Sequence, residues 1–335
     1  MEKILFIFII FISSLFANTI DINKSFSKEI LSSSQIFIDD TKTLTIKEIT
    51  NNQVDFTDIN DSIKKFGYSP NFNVWIKFTI HNSENEPISK ILEFDNSLVT
   101  NIALYENELL INKEGLLNKK IDRRTVNPTF LINLDKNETK TYYMEVYSKK
   151  TSLTLKLNLY SYDDFYSKEI LHQIILSLFF GAMIILALYN LFIYFMIKDI
   201  SYFYYVAYIV TLVLHHSLYV GFANLYLFNS DLMKYIVDYA AIFIALPVLF
   251  LSLFSKSFLQ TVQYRKINIV LNLLIGILVL SILFFSFTNY FEKYRNIIPI
   301  LIMIYLFFIT SYSFFKKNTQ AKLILFGWSA ILFAG

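Results

Sequence analysis

Apolar positions follow two different periods along these 335 residues. Between residues 19 and 162 they come in short runs broken by polar clusters. After residue 172 they fill blocks near twenty residues long. In the first region Asn73-Val74-Trp75-Ile76-Lys77-Phe78-Thr79-Ile80-His81 puts Val74, Ile76, Phe78 and Ile80 on one face, the alternation of a strand with one side buried. Asn82-Ser83-Glu84-Asn85-Glu86-Pro87 then has the composition of a hairpin loop. Further runs are Ile91-Leu92-Glu93-Phe94, Ile102-Ala103-Leu104-Tyr105, Phe130-Leu131-Ile132-Asn133-Leu134 and Thr141-Tyr142-Tyr143-Met144-Glu145-Val146-Tyr147. The alternation Leu153, Leu155, Leu157, Leu159 closes the region. Roughly eight strands at this spacing, with no long helix among them, predict an all-β sandwich over residues 19–162. A segment of about 145 residues is large enough to bury a core without disulfides.

The later blocks fall at about 173–196, 202–222, 236–255, 267–287 and 297–315, each of the length that crosses ~30 Å of hydrocarbon. A sixth begins at Leu323 and has run 13 residues at Gly335. At ~1.5 Å per residue it reaches about two thirds of the way across, so the chain is expected to be a fragment that stops inside its sixth helix. The expected architecture is multidomain: the β-sandwich, a helical junction over 163–172, and an α-helical polytopic membrane domain over 173–335. Asp163 or Asp164 can cap the first helix, and no Gly or Pro interrupts the chain from there to Gly181. That helix is expected to begin in the last turn of the β-domain and to carry motion as a rod, which a Gly-Ser insertion after Lys168 would uncouple.

Charge sets the orientation. Met1 to Lys3 carries one Lys, Ile4 to Ile12 is an unbroken apolar run about half the length of a span, and Ser13-Ser14-Leu15-Phe16-Ala17 ends on a small residue. Residues 1–17 are therefore expected to be a secretory signal peptide, with an uncleaved anchor as the alternative; either one exports the β-domain. With residues 19–162 outside, loops 197–201, 256–266 and 316–322 face the cytoplasm. They carry seven cations, Lys198, Lys256, Arg265, Lys266, Lys316, Lys317 and Lys322, against Lys234, Lys293 and Arg295 in the outer loops. The positive-inside asymmetry agrees with the signal peptide and predicts a multi-pass protein of the bacterial inner membrane with its β-domain in the periplasm. Tyr202, Phe203, Tyr204, Tyr205 and Tyr208 fit an interfacial aromatic belt at the start of the second helix. From Asn18 to Lys168, 19 Lys/Arg face 21 Asp/Glu; from Glu169 onward the counts are 10 and 5. The formal net charge of +3 averages two environments and does not point to nucleic acid.

The chemistry the chain carries is sparse. With no Cys, disulfides, thiolate metal sites and cysteine nucleophiles are excluded, and four scattered His do not make a metal-ligand pattern. No nucleophile elbow or Gly-rich phosphate loop is present, so neither catalytic residues nor a cofactor are expected. Tyr68 and Trp75 flank the Ser69-Pro70-Asn71 turn, where aromatic rings can stack on a sugar; the alternative places Trp75 in the core. His215 and His216 in the second span and Asp238 in the third fall at similar depths and can form a pair that senses pH or relays motion. The alternative leaves Asp238 in the interface and one His bonded to a backbone carbonyl. Asn190 and Asn272 suit interhelical hydrogen bonds, and Pro247 a kink.

Several segments in order resemble a known family. Gly67-Tyr68-Ser69, Trp75-Ile76-Lys77-Phe78, Leu92-Glu93-Phe94-Asp95-Asn96 and Asn137-Glu138-Thr139-Lys140-Thr141-Tyr142-Tyr143 resemble the type 2 extracellular domain of bacterial seven-transmembrane receptors with diverse intracellular signalling modules (7TMR-DISM). Gly181-Ala182, Ala187-Leu188-Tyr189-Asn190-Leu191-Phe192, Asp199-Ile200-Ser201-Tyr202-Phe203-Tyr204-Tyr205 and Phe254-Ser255-Lys256-Ser257-Phe258-Leu259 are similar to the membrane domain of the same family. The resemblance implies a periplasmic jelly-roll domain, similar to carbohydrate-binding modules, on a seven-helix membrane domain. Its expected partners are a periplasmic small molecule, a saccharide among the candidates, the lipid bilayer, and a cytoplasmic output module in cis or a separate signalling partner, with a homodimer left open. Any enzymatic output would lie beyond Gly335. The rival reading is a transporter or channel, disfavoured by a single interior Pro and no internal repeat.

Overall fold

A computed structural model describes residues 19–51, 54–119, 123–288 and 291–334, with side chains in the last helix described as far as Gly327. The expected signal peptide, residues 1–17, lies outside the described residues. The chain divides into two compact units, Met1–Gln173 with Asn224–Lys234, and Ile174–Ala223 with Tyr235–Gly335.

The first unit is built on β6 (Asn73–Asn82), whose Val74, Ile76, Phe78 and Ile80 are all buried on one face, as their alternation requires. It pairs antiparallel with β3 (Gln35–Asp39) and β11 (Thr139–Tyr147), and β11 in turn with β8 (Asn101–Glu106). Beyond β8 lies β9 (Leu109–Glu114), and beyond β3 lies β4 (Thr57–Asp58). β1 (Thr19–Ile22) joins β6 in parallel, the exception in an otherwise antiparallel domain. The second sheet runs β10 (Thr129–Leu134), β7 (Ile88–Phe94), β13 (Leu157–Tyr160) and β2 (Lys28–Glu29). Both sheets turn their apolar faces to one core, in which Phe78 stacks on Tyr142 at 5.5 Å between ring centroids and Leu92, Phe94, Phe130 and Ile132 close the other side. This is the two-layer all-β arrangement expected. The leucine alternation is not one strand. It breaks at Lys156 into β12 (Ser152–Leu155), paired with β5 (Lys64–Tyr68), and β13 in the other sheet, so the four leucines stay buried while their backbone changes partners. The outer face of the larger sheet is part-covered by the short helix α1 (Ile46–Thr50), started by a Thr45–Glu48 capping box.

α2 (Tyr162–Ile197) is one helix of 36 residues, about 54 Å long, belonging to the first unit as far as Gln173 and to the second beyond it. The second unit continues with α3 (Ile200–Tyr219), whose Asp199 side chain accepts from Ser201 N as N-cap, and which ends before Gly221 at φ 81°. After α4 (Phe222–Tyr226) and α5 (Ser230–Asp238) come α6 (Ala240–Phe258), α7 (Arg265–Phe287), α8 (Ile297–Phe315) and α9 (Thr319–Ala334). Leu271, Leu278, Ile302, Leu306, Ile309 and Ala321 form the centre of its core. Among the described residues, four helical stretches are long and apolar enough to cross a membrane: Tyr162–Ile197, Ala240–Phe258, Arg265–Phe287 and Glu292–Phe315. α3, with 20 residues that include five tyrosines and the paired histidines, is not among them. The third expected span begins later than its hydropathy suggested, because the helix breaks at Tyr239 and residues 230–238 form the separate, amphipathic α5.

Candidate functional site

The four-stranded sheet presents two faces. Leu92, Phe94, Leu157 and Leu159 point to the core, so the alternate residues Glu93 and Asn158, direct neighbours in register, point away from it. A carboxylate there would ordinarily be solvated. Instead Glu93 is fully buried, because the first turns of α2 lie over it.

Local sequence accounts for where α2 starts. Ser161 is the N-cap: its hydroxyl accepts from Asp164 N and donates to the Asp164 carboxylate at 2.7 Å, and its carbonyl accepts from Phe165 N. Ser27 donates to the same carboxylate and accepts from Ser161 N, fastening the cap to the β-domain. Of the two aspartates expected to cap, Asp164 takes part and Ser161 holds the N-cap position itself. Phe165, wholly buried, packs on Tyr160 and fixes the helix rotationally.

One turn on, the Lys168 ammonium donates to both oxygens of Glu93, at 2.8 and 2.6 Å, and lies 5.0 Å from the centroid of the Tyr160 ring. Asn127 Nδ2 donates to Glu93 Oε1 at 3.0 Å and to Asp95 Oδ1 at 2.8 Å, Asn158 Nδ2 donates to Glu93 Oε2 at 3.2 Å, and Lys156 pairs with Asp95 at 2.6 Å. The buried charge is thus countered and its lone pairs are filled, the condition under which such a pair persists in an interior. Glu169 Oε1 accepts from Val126 N at 2.7 Å and from Gln173 Nε2 at 2.6 Å, and Gln173 Nε2 also donates to Arg124 O at 2.9 Å. The buried Arg123 lies 3.5 Å from Glu114 and donates to the carbonyls of Thr125 and Val126. Burial pulls the Arg123 guanidinium below its ordinary pKa, against the upward pull of Glu114 and Glu169. Two segments, the strand pair β7–β13 and residues 123–127, therefore grip α2 over Ser161–Gln173. The arrangement is mechanical in kind: its charges are committed to one another. Among the described residues no group of three or more His, Asp or Glu is placed to hold a metal ion.

The residues marked by sequence fall elsewhere. Trp75 is 1% exposed, enclosed with Ile49 and Tyr143 beneath the segment bearing α1, and its Nε1 has no hydrogen-bond partner among the described residues. Tyr68 ends β5 in a different sheet and is exposed. The fold does not set the two as a matched pair of exposed rings. His215 and His216 lie in the last turns of α3 against Tyr219, and the His216 ring packs against Phe179 at 5.5 Å and Phe180 at 5.9 Å. Asp238 is the last residue of α5, ahead of the spanning helix α6 rather than inside it. Asn190 bonds the Leu186 carbonyl of its own helix, whereas Asn272 does reach a neighbour, accepting from Lys256 Nζ at 2.8 Å.

Two family profiles match the chain in series. The first, 7TMR-DISM extracellular 2, covers residues 32–161, and the second, 7TM diverse intracellular signalling, covers residues 172–335. The chain belongs to the 7TMR-DISM family. It is a membrane protein of the transmembrane signalling receptor class, with an extracellular sensor domain ahead of its helices. The contacts over Ser161–Gln173 fall at the boundary between the two matched regions, within the first compact unit of this receptor. No curated protein matches the receptor's sequence. Solved structures similar to part of it are a Se-Met labelled beta-glucosidase from Kluyveromyces marxianus (14% identity, 37% of this chain and 16% of that one, TM-score 0.23) and the same organism's beta-glucosidase in complex with glucose (13%, 37% and 17%, TM-score 0.23). The receptor spans less than a fifth of those chains, and likeness at that level fixes nothing about its function.

Glu93 and Lys168 were not singled out by the sequence. Glu93 did leave a signal, as a carboxylate inside the apolar run Ile91-Leu92-Glu93-Phe94, but Lys168 is 75 residues away and nothing local announces the partnership.

Proposed function

We propose that this receptor senses a small periplasmic ligand on its β-domain and passes the change through α2 to a cytoplasmic output module. The observation that carries the reading is the unbroken helix Tyr162–Ile197, locked onto the sheet at Lys168 and running on into the membrane region. Leaving the fully buried Glu93 carboxylate without its part-exposed cation costs about 3–5 kcal/mol, so the first turns of α2 are held against the sheet. The helix has no Gly or Pro from Tyr162 to Phe180, and such a stretch transmits displacement where a flexible linker would absorb it. Signalling then requires that the ligand bind one arrangement of sheet and helix more tightly than the other.

The periplasmic placement is supported by the cation asymmetry between alternate loops and by the expected signal peptide. A saccharide is the ligand class implied by the resemblance to carbohydrate-binding modules, and the exposed ring of Tyr68 beside the Ser69-Pro70 turn is compatible with stacking on a sugar. The inner membrane is the site that this topology fits.

The test is a chimera in which a histidine kinase of known activity is joined to the cytoplasmic end of the membrane domain. A Gly-Ser-Gly-Ser insertion after Gln173 leaves the sheet–helix contacts in place and softens the rod; basal autophosphorylation should change severalfold. Autophosphorylation indifferent to that insertion and to Lys168→Met would remove the receptor mechanism, and solute uptake by vesicles carrying the chain would favour a transporter instead.

A further inference from the structure

The segment after α3 groups with the β-domain: residues Asn224–Lys234, most of α4 and the first half of α5, belong to the first compact unit. The reason lies in Lys119. Its ammonium donates to the carbonyls of Asn224 and of Phe228, the latter at 3.0 Å, with Leu225 O at 3.5 Å. Asn224 and Leu225 belong to α4, whose closing carbonyls lack intrahelical partners, and a cation is the group that satisfies such an end. α4 has five residues, too few to hold a helix without tertiary support. Tyr226 adds a second bond, donating to Gln173 Oε1 at 2.5 Å, and Gln173 Nε2 donates to Arg124 O and Glu169 Oε1. The segment bearing α4 is so bonded to Lys119 on one side and, through Gln173, to the start of α2 and Arg124 on the other.

This docking has one component that works against it. Asn224 is 1% exposed, and neither its Nδ2 nor its Oδ1 has a hydrogen-bond partner among the described residues. Docking therefore buries an amide that water would otherwise satisfy. On the other side, the segment that leads to Lys119 is rooted tightly at Gly115. Gly115 has φ 125°, and a Cβ there would sit 2.7 Å from Thr100 O, so the root follows the sheet rather than swinging free of it.

We propose that the loop bearing α4 is a second docking element of the sensor domain, held by Lys119 and poised for release by the buried Asn224 amide. Ligand-driven movement of the sheet would then act on α2 and on the α3–α5 connection together. Only this signalling consequence rests on the receptor reading; the docking itself does not.

The experiment is amide hydrogen exchange of the whole chain in lipid nanodiscs, read over residues 222–230. Lys119→Met should speed exchange there about tenfold, the scale of losing a charge-assisted hydrogen bond, and Asn224→Ala should slow it. Unchanged exchange in Lys119→Met, or faster exchange in Asn224→Ala, overturns the proposal. Amides of β6 and β11 report whether the β-domain is intact. If Lys119→Met perturbs those as well, Tyr226→Phe takes its place, with faster exchange confined to 222–230 expected and unchanged exchange again overturning the docking. A kinase chimera silent to every change, together with the expected exchange pattern, would remove the receptor reading and leave the docked loop standing.

Discussion

The sensor domain and the membrane domain handle polar groups in opposite ways. In the β-domain, charged side chains go inside. Glu93 is met by Lys168, Asn127 and Asn158, and the buried Lys90 ammonium donates to the carbonyls of Lys24 and Phe26 at 2.7 and 2.8 Å. In the helical unit, apolar side chains go outside: Leu178 and Ile185 are each 69% exposed and Met196 71%. Several of its hydroxyls turn back on their own helices, Thr211 onto Ala207 O, Ser252 onto Val248 O and Thr310 onto Leu306 O, while Ser201 and Ser257 bond each other and Tyr305 reaches Ile267 O. The difference comes from the solvent. In water, a folded domain gains by removing apolar surface and tolerates buried charge only where it is fully partnered. In hydrocarbon the outer surface has no reason to be polar, and polar groups must be satisfied from within. Ser161–Gln173, the start of α2 within the first unit, keeps polar partners of the first kind.

The comparison can be broken most forcefully at that stretch. Lys168→Met strands the buried Glu93 carboxylate and should destabilise the β-domain by about 3–5 kcal/mol in denaturant unfolding of the whole chain. Adding Glu93→Gln should recover most of the loss, since the Asn127 and Asn158 amides can still bond a neutral acceptor. A neutral single variant would mean that the pair does not fasten the helix. Next in size is a matched pair of surface substitutions. Ile185→Lys, on the helical unit, should cost about 3 kcal/mol in a membrane-insertion assay, whereas Leu131→Lys, exposed on β10 of the β-domain, should stay within roughly 0.5 kcal/mol in unfolding. Equal effects would deny that the two surfaces meet different solvents.

The smallest effect expected concerns Glu145, on the outer face of the larger sheet. Burial holds its carboxyl above the usual range, although Asn73 Nδ2 donates to it at 2.8 Å. A folded pKa above the unfolded one makes the charged form a burden near neutrality, lifted as the pH falls through the folded value. This group alone therefore makes the β-domain slightly more stable on mild acidification, and Glu145→Gln should raise neutral-pH stability and flatten that acid-side rise in thermal melts across pH.

Much of this molecule was determined by its sequence alone. Alternation at Val74–Ile80 could satisfy only a strand with one wet face, and twenty-residue apolar blocks only a helix whose backbone bonds itself, so both domains and their order were readable from periods of two and of bilayer length. The start of α2 was nearly so, because capping is local: it depends on Ser161 and the aspartate three positions on. What the tertiary structure decided are the properties that depend on residues far apart in the chain. The burial of Trp75 comes from the segment folded across it, and the separation of Asp238 from α6 from a break at Tyr239 that hydropathy does not register. Above all, the meeting of Glu93 with Lys168 and of Lys119 with Asn224 spans 75 and 105 residues. No periodicity encodes such a partner, since the free energy of burying a charge depends on what the fold brings to it.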